Sequence, residues 1–154
     1  MKPILRRMAF GMLFALLITP GSAALCNKSQ HEALTEAHHK AGALAQQLYD
    51  DTDHLKTLDK AAVRPQMEAI AAALQQVREA EQECTRAGPP RGKIAMWDYQ
   101  QMLNHQQAAY ADLEQVQKEM ALETPRLNHF ISAAIDIRRH LDMAEESLRE
   151  SMLP

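Results

Sequence analysis

The stretch TPRLNHFISAAIDIRRHLDMAEESL, residues 124–148, decides the fold. Leu127, Phe130/Ile131, Ala134, Ile137, Leu141, Ala144 and Leu148 recur at steps of three and four, the spacing that lines one face of an α-helix. Thr124 and Pro125 stand in front of the repeat. A threonine side chain accepts from the free N–H groups of a helix start, and a proline in the first turn gives up an N–H that has no partner there. The pattern predicts a helix from about residue 125 that frays near Met152.

The same period continues upstream. Tyr99, Met102/Leu103, Gln106, Ala109/Tyr110, Leu113, Val116 and Met120 predict a third helix from about Lys93 to Leu122. Gly88-Pro89-Pro90 ends the second, because proline cannot continue a helix and glycine suits the position just past one. Met67, Ile70, Leu74, Val77, Glu81 and Cys84 form the stripe of that second helix, from Pro65 to about Arg86. Ser29 and Glu32 match a capping box at the start of the first helix. Leu34, Ala37, Ala41, Leu44, Leu48, Leu55, Leu58 and Ala62 carry that helix unbroken to about residue 58. The alternative is a break at Asp50–Asp53, with Asp53 capping a new segment. Pro65 then kinks the second helix instead of opening it.

Four amphipathic helices on short connections predict an all-α fold, an antiparallel up-down four-helix bundle with long third and fourth helices. The two residues Glu123 and Thr124 leave the last two helices no course but a hairpin. Heptad-like spacing predicts shallow, coiled-coil-like crossings. Ala33, Ala37, Ala41, Ala69, Ala73 and Ala134 are expected on inner faces, where small side chains let backbones approach.

Residues 1–24 read as a cleaved signal peptide and residues 25–154 as the helical-bundle domain. Lys2, Arg6 and Arg7 are basic, Met8–Thr19 is apolar, Pro20-Gly21 breaks the run, and Ser22-Ala23-Ala24 supplies small residues for cleavage. A 12-residue apolar run rises about 18 Å as helix, short of the ~30 Å of a bilayer core. The expected product is a periplasmic protein of a Gram-negative bacterium, or one secreted further, with no transmembrane segment after cleavage.

The chain's two cysteines, Cys26 and Cys84, fit that compartment as a disulfide. They sit at the start of the first helix and the end of the second, which an antiparallel pair brings together. Lipidation of Cys26 is the competing reading, weakened because Leu25 is not the small residue that processing requires.

The whole chain carries 17 basic and 20 acidic residues. Three of the basic ones lie in the signal, leaving 14 against 20 and a net charge of −6. That balance excludes non-specific nucleic-acid binding, which needs clustered positive charge. Only Gly42, Gly88 and Gly92 lie beyond residue 24, so no glycine-rich phosphate loop exists, and no Gly-x-Ser-x-Gly is present. His31-Glu32-Ala33-Leu34-Thr35 begins like a zinc-protease helix but lacks the second histidine. Glu36-x-x-His39 has the di-iron spacing, yet no second Glu-x-x-His accompanies it. Both residues are expected on a solvated face, and Arg138-Arg139-His140 is expected to pair with nearby carboxylates. No catalytic residue, metal ligand or cofactor is assigned.

Trp97, the single tryptophan, points away from the Tyr99 stripe, beside Gln101, Asn104 and Ala108. It either plugs the bundle end against the 87–93 loop or stands exposed as an anchor for a partner. The reading is a non-enzymatic exported helical protein that works through protein–protein contacts. An envelope or secretion accessory subunit, a chaperone or an immunity protein would each fit. Its partner is another envelope or secreted protein, and a homodimer is allowed. The alternative is a periplasmic metal- or haem-binding bundle.

Overall fold

Four helices make up the described part of the computed structural model, residues 26–86 and 92–151. They are α1 (Lys28–Thr52), α2 (Lys60–Thr85), α3 (Lys93–Ala121) and α4 (Leu127–Ser151), with no strand among the described residues. The expected signal peptide and cleavage site, the expected Gly88–Pro90 stop and the expected fraying near Met152 lie outside them.

The helix ends differ from expectation, each for a local reason. The capping box of α1 uses Asn27 and Gln30, not Ser29 and Glu32: Gln30 N–H donates to Asn27 Oδ1 at 2.9 Å, and Asn27 N–H donates to Gln30 Oε1 at 3.1 Å. The helix stops at Thr52, not near residue 58. There the Thr52 hydroxyl turns inward, fully buried, and donates to the Leu48 carbonyl at 2.7 Å. Asp59, rather than Asp53 or Pro65, opens α2 by accepting from Ala61 N–H at 2.9 Å and Ala62 N–H at 3.3 Å. Pro65 lies inside α2, in its second turn, where it has no N–H to donate to the Ala61 carbonyl. The connection at 53–59 spans residue 55, midway between Cys26 and Cys84, so the two cysteines fall level across the antiparallel pair, as a turn at Pro65 would not allow.

The start of α4 also moves, from Pro125 to Leu127. Arg126 takes the capping position, its carbonyl accepting from His129 and Phe130 N–H. Its own N–H donates to the Glu119 carboxylate at 3.1 Å, so a side chain of α3 does the work assigned to Thr124. Gly92, at φ 116°, precedes α3 without a side-chain cap, in a backbone region that other residues avoid.

Cross-helix pairs fix an antiparallel order. Gln30 meets the Glu83 carbonyl, Lys40 meets Gln76 and Asp51 meets Gln66, so α1 and α2 run oppositely. His39 meets Glu145 between α1 and α4. Tyr99 meets Glu81, Tyr110 donates to the Leu74 carbonyl at 2.9 Å, and Lys60 donates to the Leu122 carbonyl, between α2 and α3. The α3–α4 hairpin packs most extensively, α1 lies against both α2 and α4, and α2 and α3 meet least.

The stripes converge on one core containing Leu34, Leu48, Ile70, Leu74, Met102, Phe130, Ile137, Leu141 and Leu148. Fully burying a side chain of this size contributes about 1.5–3 kcal/mol. Ala37, Ala41, Ala73 and Ala134 are buried as expected, while Ala33 is exposed and Ala69 half-buried. The expected staple is present: Cys26 and Cys84 form a disulfide with Cα atoms 4.8 Å apart. No helix among the described residues is long and apolar enough to cross a membrane.

Candidate functional site

The end of the bundle that holds the disulfide also holds the first turns of α3. Tyr99 Oη lies 3.3 Å from Glu81 Oε1, which sets those turns beside the last turns of α2. Trp97 is 64% exposed there and Met96 38%. The indole therefore stands mostly in solvent, grouped on its helix with exposed Asn104 and partly covered Gln101 and Ala108. Most of the 87–93 loop against which it could pack lies outside the described residues.

A second polar feature lies within the core. His38, only 1% exposed, meets Gln106 across the diagonal from α1 to α3, with 3.0 Å between His38 Nε2 and Gln106 Nε2. With the amide donating, the ring proton sits on Nδ1. Burial, and then neighbouring His39, push the pKa of His38 down to about 4, so the ring is neutral at pH 7. His38 Nδ1, His31 Nε2 and Thr35 Oγ1 are buried without a hydrogen-bond partner among the described residues. These three residues share one edge of α1, as their spacing predicts.

The third feature is the outer seam of α3 and α4. Asp112 Oδ2 lies 2.8 Å from His140 Nδ1, and the His105 and His140 rings stack with centres 6.1 Å apart. Burial, and then His140, lower the pKa of His105. Burial raises that of Asp112 against the opposing pull of its hydrogen bond with His140. Further along the seam, Glu119 has a fully buried carboxylate that accepts from Arg126 N–H, Nε and Nη2. The Arg126 guanidinium holds the Glu119 carboxyl below the usual carboxylate range.

Of the residues singled out in the sequence, Glu36 and His39 are exposed, and His39 pairs with Glu145 at 3.1 Å. Arg138 pairs with Asp142 and Arg139 with Asp136, at helical spacing. His140 departs from that pattern and crosses to Asp112. The His38–Gln106 pair had a visible signal, a glutamine on an otherwise apolar stripe. The Asp112–His140–His105 cluster had none, because its members become neighbours only when α3 folds back on α4. No group of three or more His, Cys, Asp or Glu side chains among the described residues is arranged to hold a metal ion.

The chain matches no family model, no curated protein and no solved structure.

Proposed function

We propose that the protein is exported to the periplasm, loses residues 1–24, and acts without catalysis by contacting another envelope or secreted protein. The observation that carries this reading is Trp97, 64% exposed beside exposed Met96 at the disulfide-stapled end of the bundle. Tryptophan buries a large area with few torsions to freeze, which is why it dominates binding hot spots. The disulfide and the apolar leader support export. The role is that of an accessory subunit, a chaperone or an immunity protein.

Affinity capture from envelope extracts tests the reading. Wild-type protein is expected to retain a partner that Trp97→Ala loses. Truncation of a hot-spot residue costs ~2 kcal/mol or more, roughly thirtyfold in Kd. Retention of the same partner at equal yield by both proteins contradicts the role given to Trp97. Recovery of the chain alone as a dimer makes a second copy the partner.

A further inference from the structure

We propose that the groove between α2 and α3 holds an extended, basic segment of a partner polypeptide through hydrogen bonds to its main chain. The partner is that of the protein-contact reading, on which the proposal rests. These two helices meet least in the bundle. Between them lies a cavity of about 600 Å³, within the ~300–1,000 Å³ common for binding sites.

The walls are held in place from behind. Tyr110 Oη donates to the Leu74 carbonyl at 2.9 Å, and the Arg78 guanidinium lies 4.6 Å from the centre of the Tyr110 ring. Further along, Tyr99 Oη donates to Glu81 Oε1 at 3.3 Å. On the floor, Gln106 is 4% exposed, and its amide donates to His38, which leaves Oε1 as the acceptor turned to the groove. Met96 and Trp97 precede Leu103 and Asn104 by seven positions, two turns of α3, so the exposed pair continues the groove wall.

The polar groups decide the occupant. Gln100, Asn104 and Gln107 line the α3 wall at steps of four and three residues. Each carboxamide both donates and accepts. Gln100 Nε2 donates to Asn104 Oδ1 at 3.1 Å, which aligns the two amides and leaves Gln100 Oε1 and the Asn104 NH₂ for a ligand. A partner helix has paired its backbone groups internally and has no use for such a row. An extended segment carries a free N–H and C=O at each residue. It repeats every ~6.6 Å, over two residues, and the rise from Gln100 to Asn104 is ~6 Å. The stretch from Gln100 to Glu114 spans about 21 Å, the length of about six extended residues.

Charge selects the side chains of the segment. Glu81 and Glu114 line the groove against one cation, Arg78, which lies over the Tyr110 ring. Beyond residue 24 the chain carries 14 basic and 20 acidic residues. Lysine and arginine are therefore favoured in the occupant, and acidic side chains are repelled.

Fluorescence anisotropy of a labelled decapeptide of alternating leucine and lysine, titrated with the disulfide-bonded protein, tests the site. Alternation sends the leucines to the floor and the lysines to the rim. The peptide is expected to bind roughly tenfold more tightly than its glutamate counterpart. Methylation of its alternate amide nitrogens is expected to weaken binding by roughly tenfold or more. Asn104→Ala and Gln107→Ala, both at exposed positions, are each expected to raise Kd about fivefold, the loss of one hydrogen bond. Gln47→Ala, on exposed α1 surface, is expected to leave Kd unchanged. Because the probe is synthetic, its failure refutes the groove and leaves capture of a partner through Trp97 to its own measurement. No binding by the wild type, equal affinity for the lysine and glutamate peptides, or undiminished binding of the methylated peptide overturns the proposal. So does unchanged affinity in the Asn104 and Gln107 variants, or a helical circular dichroism signal gained by the bound peptide.

Discussion

Acidification should destabilise this bundle from within, through His38. The ring is 1% exposed and holds a pKa of about 4, against ~6.5 in an unfolded chain. The unfolded state therefore takes up a proton at a pH where the folded state cannot. The His38 contribution is complete above about pH 7. It falls as pH drops below the unfolded value and levels off below the folded one. Each pKa unit is worth ~1.36 kcal/mol. The 2.5 units between 6.5 and about 4 thus correspond to about 3 kcal/mol in full, and to about 2 kcal/mol by pH 5. That is a large share of the ~5–15 kcal/mol that keeps a domain folded. Protonation also removes the lone pair on Nε2 that accepts from Gln106. Urea denaturation from pH 7.5 to 4, on the wild type and His38→Gln, isolates this effect, since other titrating groups are common to both. The wild type should lose about 2–3 kcal/mol more than the variant over that range. Equal pH dependence in the two proteins would refute a neutral, buried His38.

Cys26→Ser or Cys84→Ser should lower stability by about 4 kcal/mol, the entropy of closing a loop across a separation of 58 residues, while far-UV circular dichroism keeps its helical form. Gly42→Ala should stabilise by about 0.5 kcal/mol in urea titration, because helix propensity gains ~1 kcal/mol. The added Cβ meets the Arg138 side chain, with Cδ 3.1 Å away, and lies in ordinary contact with Asp142 Oδ1 at 3.9 Å; the arginine side chain can shift. A loss of stability would mean that Arg138 is held in place. Glu119→Gln should flatten the acid limb of the pH–stability profile. Its folded pKa is depressed by Arg126, so the contribution of the carboxylate is present above the unfolded value and is lost as pH falls through the folded one. An unchanged acid limb would remove Glu119 from the account.

The fold was legible where one helix face repeats without interruption. The α2, α3 and α4 stripes end up buried in the order that their spacing implies, and the two cysteines meet where an antiparallel pair must bring them. Boundaries were less legible because competing local signals fit the same rule. Asn27–Gln30 and Ser29–Glu32 both have capping-box spacing, and only the first is used. Leu55 and Leu58 continue the helical period of α1, yet both lie half-buried in a turn that Thr52 and Asp59 define, and Leu58 packs against the core from there. Thr124 lost its capping role to Glu119, a residue of another helix. Trp97 was legible as an outward-facing residue from its angle to Tyr99. The Asp112–His140–His105 cluster was not, because it depends on the relative register of α3 and α4, which no residue on either helix encodes alone.

The most direct test of the account is site-specific photo-crosslinking in living cells. An aromatic photo-reactive residue replaces Trp97, with the same group at exposed Gln75 on α2 as the comparison. The account predicts a heavier adduct with a second protein from position 97 alone, recovered in the periplasmic fraction with a chain lacking residues 1–24. The absence of an adduct at 97, equal adducts at 97 and 75, or retention of the full chain inside the cell would contradict it.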